Sequence, residues 1–176
     1  MKKFKQFTFV FLFSLLLLNC KKPKKPVVSD GVYLAGAKAS SANFIPTIWQ
    51  SGTATELANF GNETIARSIV VSGSDVFVAG DWENTSVANN IAAIWKNGGK
   101  TNLTDGSKRA NAFSVFVNGS DVYVAGFESN GSKDVAKVWK NGVAINLSNG
   151  SNSAEARGVF VVGADVYATG FENGDA

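Results

Sequence analysis

The amino-acid sequence predicts an all-β fold in which one unit of four short antiparallel strands recurs along the chain, and three observations predict it. The pentapeptide Val32-Tyr33-Leu34-Ala35-Gly36 returns as Val76-Phe77-Val78-Ala79-Gly80, Val122-Tyr123-Val124-Ala125-Gly126 and Val166-Tyr167-Ala168-Thr169-Gly170, with closing glycines 44, 46 and 44 residues apart. A second block, Ile48-Trp49-Gln50-Ser51-Gly52, returns as Ile94-Trp95-Lys96-Asn97-Gly98 and Val138-Trp139-Lys140-Asn141-Gly142. No 3.6-residue apolar period persists for three helical turns, so nothing in the pattern asks for a helix. Self-similarity at a fixed period marks a repeat architecture.

The spacings divide each unit into a rigid and a variable part. Every repeated Trp is followed by a closing Gly after 31 residues, whereas the closing Gly reaches the next Trp after 13, 15 and 13. In the third unit, residues 112–117 form strand A and Asn118-Gly119-Ser120 a tight turn. Residues 121–126 form strand B and 136–140 strand C. Asn141-Gly142 makes the next turn, and 143–147 form strand D. Asn-Gly is a strong hairpin signal because a type I′ turn needs positive φ at both central positions. Strand B is apolar on both faces and predicts cover on both sides. Strand D alternates through Ala144-Ile145-Asn146-Leu147, as an outer strand half in water does. Trp49, Trp95 and Trp139 share one register and are expected in the core between units. Asp75, Asp121 and Asp165, just after the A-to-B turn, are expected to bond nearby backbone.

Four antiparallel strands about every 45 residues, with inner strands covered on both faces, describe the blade of a β-propeller, whose neighbours bury what one blade cannot. The expected blades are residues 30–59 (partial), 60–105, 106–149 and 150–176 (partial). Asp30-Gly31-Val32-Tyr33-Leu34-Ala35-Gly36 is similar to the Asp-Gly-x-Tyr-Val-x-Gly signature of bacterial extracytoplasmic β-propeller repeats, over residues 30–176. Gln50, Lys96 and Lys140 stand where WD repeats place Asp, and the Gly-Gly pair of kelch repeats is missing. A β-sandwich and a β-solenoid are the alternative architectures. Thirteen strands make about three and a quarter blades, against about 4–8 blades in propellers generally. The expectation is therefore an incomplete β-propeller. It is a fragment of a longer one, a ring closed by oligomerisation, or an open arc.

The chain has 176 residues and a formal charge of +3, but seven lysines lie in its first 25 residues. From residue 27 onwards ten basic residues face fourteen acidic ones, a net of −4. The repeats lack the clustered basic surface of a nucleic-acid binder, so no nucleic-acid partner is expected. Lys2, Lys3 and Lys5 precede the apolar run FTFVFLFSLLLL at residues 7–18, which as a helix rises about 18 Å, short of a bilayer core of about 30 Å. That is the build of a signal peptide, residues 1–19. Leu17-Leu18-Asn19-Cys20 resembles the lipobox of bacterial lipoproteins, with Asn19 where the strict pattern has a smaller residue. The resemblance implies lipidation of Cys20, a membrane partner through that anchor, and a cell-envelope location. Lys21 in place of Asp favours the outer membrane over the inner. Residues 20–29, with Pro23, Pro26 and four lysines, form an extended solvated tether that also suits anionic headgroups.

The chemistry is sparse. The chain has no His and one Cys, which excludes His-based triads, His-ligated metals, an internal disulfide and Cys-cluster zinc. No calcium loop, P-loop or nucleophile elbow is present, and no cofactor is implied. In a propeller the D-to-A and B-to-C connections share one end, and here they are the long, divergent ones, suited to recognition. After three closing glycines come an aromatic and an acid: Trp82-Glu83, Phe127-Glu128 and Phe171-Glu172. As a set they suggest an aromatic platform with carboxylates for a sugar or a cationic group; as structure, aromatics packed between units and solvated acids. The expected function is non-catalytic binding of a protein or glycan. The alternatives are a propeller-type glycan hydrolase or lyase and a structural surface repeat protein.

Overall fold

The computed structural model describes residues 31–41, 43–58, 63–86 and 89–174. The expected signal peptide, Cys20 and the expected tether lie outside the described residues. Every regular element among the described residues is a strand: β1 (Tyr33–Ala39), β2 (Phe44–Gln50), β3 (Thr53–Glu56), β4 (Thr64–Ser72), β5 (Asp75–Asn84), β6 (Asn89–Lys96), β7 (Gly99–Asn102), β8 (Ala110–Asn118), β9 (Asp121–Ser129), β10 (Asp134–Lys140), β11 (Val143–Asn146), β12 (Ala154–Val162) and β13 (Asp165–Glu172). They form antiparallel sheets in the orders β1-β2-β3, β4-β5-β6-β7, β8-β9-β10-β11 and β12-β13. The chain is thus all-β, with two four-stranded sheets between a three-stranded and a two-stranded one.

The turns follow from their residues. Ser51, Asn97 and Asn141 hold φ of 48°, 51° and 51°, each followed by a glycine at 83–86°, the paired positive angles of a type I′ hairpin. The A-to-B hairpins instead place Gly73, Gly119 and Gly163 first in the loop at about 60°.

The second-strand glycines have a different cause. Strands β4, β8 and β12 each carry a β-bulge that leaves Arg67, Phe113 and Arg157 unpaired in the ladder. The bulge pushes the backbone towards the neighbouring strand. A Cβ on Gly80, Gly126 or Gly170 would collide with the carbonyl oxygen of Ile65, Asn111 or Glu155. Glycine is what lets the bulged strand close up, and so the second strand runs on past it, to Ser129 in β9.

Alternate residues of each sheet face opposite neighbours. Val78, Ala93 and Trp95 pack with Leu57 of the first unit. On the other face Phe77, Ala79 and Ala92 pack with Ala112, Val115, Val124 and Trp139 of the third sheet. Tyr123, Ala125 and Val138 in turn meet Ala154, Ala156, Val159 and Val161 of the fourth. Trp95 and Trp139 are fully buried, as expected, but Trp49 is only half-buried. It lies opposite Leu34, itself 59% exposed, on a face that no other described sheet covers.

The first strand of each sheet is an edge, and edge amides need partners. Ser68 Oγ accepts from the Val115 amide (3.1 Å) and Ser114 Oγ from that of Val159 (3.4 Å), which ties each edge to the next. At the short-turn end Asp75 and Asp121 depart from expectation. The Asp121 carboxylate binds side chains rather than backbone, taking Lys140 Nζ at 2.8 Å and Asn141 Nδ2 at 2.8 Å. Asp75 does the same with Lys96 and Asn97. Asn97 and Asn141 have Oδ1 left to accept the amides of Val76 and Val122, so one short polar side chain fastens two hairpins together.

Candidate functional site

The long connections are fastened in pairs. Asn89 Nδ2 donates to the Gly106 carbonyl (3.2 Å) and Asn130 Nδ2 to the Gly150 carbonyl (3.1 Å), joining the B-to-C connection of the second and of the third sheet to the D-to-A loop beside it. Asp105 and Asn149 brace the same loops by accepting the amides of Ser107 and Ser151.

Next to these loops the bulge residues meet from sheet to sheet. The guanidinium carbons of Arg67 and Arg157 lie 5.4 and 5.1 Å from the Phe113 ring centre. Phe113 is 5.9 Å from Phe127, which lies beneath Arg109 at 4.7 Å, and Arg157 also covers Phe171 at 5.4 Å. Each arginine has its own carboxylate. Arg67 donates from Nε to Asp81 (2.5 Å), Arg109 donates to both oxygens of Asp134 (2.9 and 2.6 Å), and Arg157 donates to Glu155 (3.0 Å). Arg67, Arg109 and Arg157 therefore form a set of oriented planar donors around aromatic rings, without net charge. A flat guanidinium held along one edge still offers N–H groups to a carboxylate, hydroxyl or carbonyl.

The structure separates the expected aromatic–acid pairs. Phe127 and Phe171 pair with Asn111 and Glu155, and the residue in that register in the second sheet is Asp81, opposite Ile65. Trp82 comes one residue later, in register with Glu128 and Glu172. A one-residue step along a strand reverses the face, so Trp82 points towards the first sheet and joins its cluster. There its indole Nε1 donates to Asn102 Oδ1 (3.0 Å), and the Lys100 ammonium lies 3.5 Å over the ring. Burial pushes Lys100 down to about 8, while the indole face favours its cation. Glu83 is half-buried, and its amide donates to the Glu63 carbonyl. Phe127 is 1% exposed, which keeps its ring from a ligand in this arrangement. Glu128 pairs with Lys137 at 2.8 Å. Phe171 is 43% exposed and Glu172 is exposed with it. The six residues thus do not form one platform; Phe127 and Phe171 belong with the arginines, and Trp82 lies on the other face.

Sequence reasoning passed over Arg67, Phe113 and Arg157. Their signal is the triplet Ala66-Arg67-Ser68, Ala112-Phe113-Ser114 and Ala156-Arg157-Gly158, a large variable residue between two small ones in one register. Comparison with protein-family models finds no match, and comparison with curated proteins finds none either.

Proposed function

We propose that the chain is a lipid-anchored protein of the bacterial cell envelope, its sheets the blades of an incomplete β-propeller, and that the loop end binds a glycan or protein partner without catalysis. The outer membrane is the favoured location, with Cys20 as the lipidated residue and the lysine-rich tether as spacer. The order of the sheets, each packed on the next through its first strand, supports the blade reading. The observation that carries the binding reading is the Arg67–Phe113–Arg157 contact, three bulge residues from three sheets brought together beside braced loops. A rigid scaffold with divergent loops and oriented donors is suited to recognition.

Two experiments test the proposal. Labelled palmitate is incorporated by the full chain expressed in bacteria and is lost in Cys20→Ala; equal labelling of that variant overturns the anchor. On a glycan array and a panel of envelope proteins, the full chain retains a ligand that Arg157→Ala loses about tenfold. A ligand held equally by wild type, Arg157→Ala and Phe113→Ala overturns the assignment of the loop end.

A further inference from the structure

An asparagine before a glycine is labile wherever its side-chain carbonyl carbon can meet the next backbone nitrogen, because glycine puts no side chain in the way. Asn97, Asn118, Asn130, Asn141 and Asn149 each precede a glycine, with described residues on both sides. Their surroundings differ. Asn97 and Asn141 are engaged at both ends of the amide, Nδ2 on Asp75 or Asp121 and Oδ1 on the Val76 or Val122 amide of the neighbouring strand. Asn118 Nδ2 donates to the Gly163 carbonyl at 3.0 Å. Asn130 Nδ2 donates to the Gly150 carbonyl, and the Gly131 amide that would attack Asn130 donates instead to Ser129 Oγ at 3.0 Å.

Asn149 is exposed and held differently. Its Oδ1 accepts the Ser151 amide at 2.9 Å, closing an Asx turn that folds the side-chain carbonyl back over Gly150. Among the described residues neither Asn149 Nδ2 nor the Gly150 N–H has a bonding partner. The leaving nitrogen and the attacking nitrogen are therefore both free, and the Ser151 N–H lies where charge develops on Oδ1 during attack. One repeat earlier the same turn is built on Asp105-Gly106-Ser107, with the Ser107 amide on Asp105 at 2.8 Å and Gly106 at φ 82° against 76° for Gly150. A carboxylate thus fits the place of the Asn149 amide.

We infer that Asn149 is a self-modification site, converted by the Gly150 backbone nitrogen to aspartate and isoaspartate. That nitrogen gives its proton to solvent and bonds to Asn149 Cγ. The Cγ–Nδ2 bond breaks, and Nδ2 takes a proton from solvent and leaves as ammonia. Water then opens the succinimide ring. Cleavage of the bond from nitrogen to Cγ gives aspartate, and cleavage of the bond from nitrogen to the main-chain carbonyl gives isoaspartate. An amide and a water become a carboxylate and an ammonium ion, so the sum needs no oxidant or cofactor. Either product adds a negative charge to the loop end. The aspartate keeps the turn seen at Asp105, whereas isoaspartate lengthens the main chain by one carbon beside Gly150, whose carbonyl holds Asn130. The inference rests on loop geometry and is independent of partner binding there.

The sequence supplies its own control, because Ser129-Asn130-Gly131-Ser132 and Ser148-Asn149-Gly150-Ser151 are identical. The full chain is incubated at mildly alkaline pH, and peptide mapping by mass spectrometry follows all five sites. Asn149 converts at least about tenfold faster than Asn130, Asn118, Asn97 or Asn141. In urea Asn149 and Asn130 convert at equal rates, a comparison that needs no variant to fold. Ser151→Pro, which removes the amide donor, slows conversion of Asn149 about tenfold. Conversion of Asn149 no faster than that of the other four, a preference over Asn130 that persists in urea, or an undiminished rate in Ser151→Pro overturns the assignment.

Discussion

Trp95 and Trp139 occupy the same place in successive sheets, yet only Trp95 finds an acceptor: its Nε1 donates to the Ala58 carbonyl at 3.0 Å, while Trp139 Nε1 is buried without a partner. A net hydrogen bond is worth about 1 kcal/mol, and an unsatisfied buried donor costs about as much or more. Trp95→Phe, which loses a bond, is therefore expected to destabilise the protein by about 2 kcal/mol more than Trp139→Phe, which removes an unsatisfied donor. Urea midpoints of the two variants, compared at one pH, check the order; the reverse order removes the argument.

The closing glycines are expected to be intolerant for a steric reason. In Gly126→Ala the new methyl meets the Asn111 carbonyl at a buried position, and relief requires moving the bulge. A loss of about 2–3 kcal/mol is expected. Gly119→Ala sits in open space at φ 61° and loses only about 1–2 kcal/mol through backbone strain. Denaturation midpoints measured on both variants distinguish packing from backbone conformation.

Acid is expected to loosen the short-turn end. Asp75 is held below its ordinary value by its bond to Lys96 and then to Asn97, and Asp121 by Lys140 and then Asn141. A carboxylate whose folded value is depressed stabilises the fold above its unfolded value, here near 3.8, and loses that contribution as pH falls through and below it. Melting temperature falls from pH 5 to pH 3 in the wild type and falls less steeply in a double Asp75→Asn, Asp121→Asn variant. Parallel curves count against the clips.

Lys100 titrates in the opposite window. Its ammonium lies over the Trp82 indole and its folded value is about 8 against an ordinary 10.5. The neutral amine is the easier form to bury, so stability rises as pH climbs from about 8 towards 10.5. Tryptophan emission is expected to step near pH 8 as the cation leaves the ring face. The step is absent in Lys100→Met, and a step of the same size in that variant assigns it elsewhere.

Much of the fold was legible because the repeats compare themselves. The paired turn residues Asn97-Gly98 and Asn141-Gly142 declare their hairpins through positive φ, and the buried Trp95 and Trp139 through their common register. The bulges were not legible. A bulge interrupts the alternation of side chains, and Arg67, Phe113 and Arg157 differ in chemistry, so nothing but position links them. The same blindness produced the false equivalence of Trp82 with Phe127. Matching aromatics to aromatics overlooks a one-residue step, and only the strand register shows that Asp81 stands in the place of Phe127. Trp49 shares the repeat pattern of the buried tryptophans, but burial depends on a neighbouring sheet as well as on sequence.

The bonds from Asn89 to Gly106 and from Asn130 to Gly150 make the long loops of the second and third sheets two cassettes, each with its own internal fastening. One sector of the long-loop end can then be rewritten, in evolution or by grafting, while the sectors beside it keep their shape.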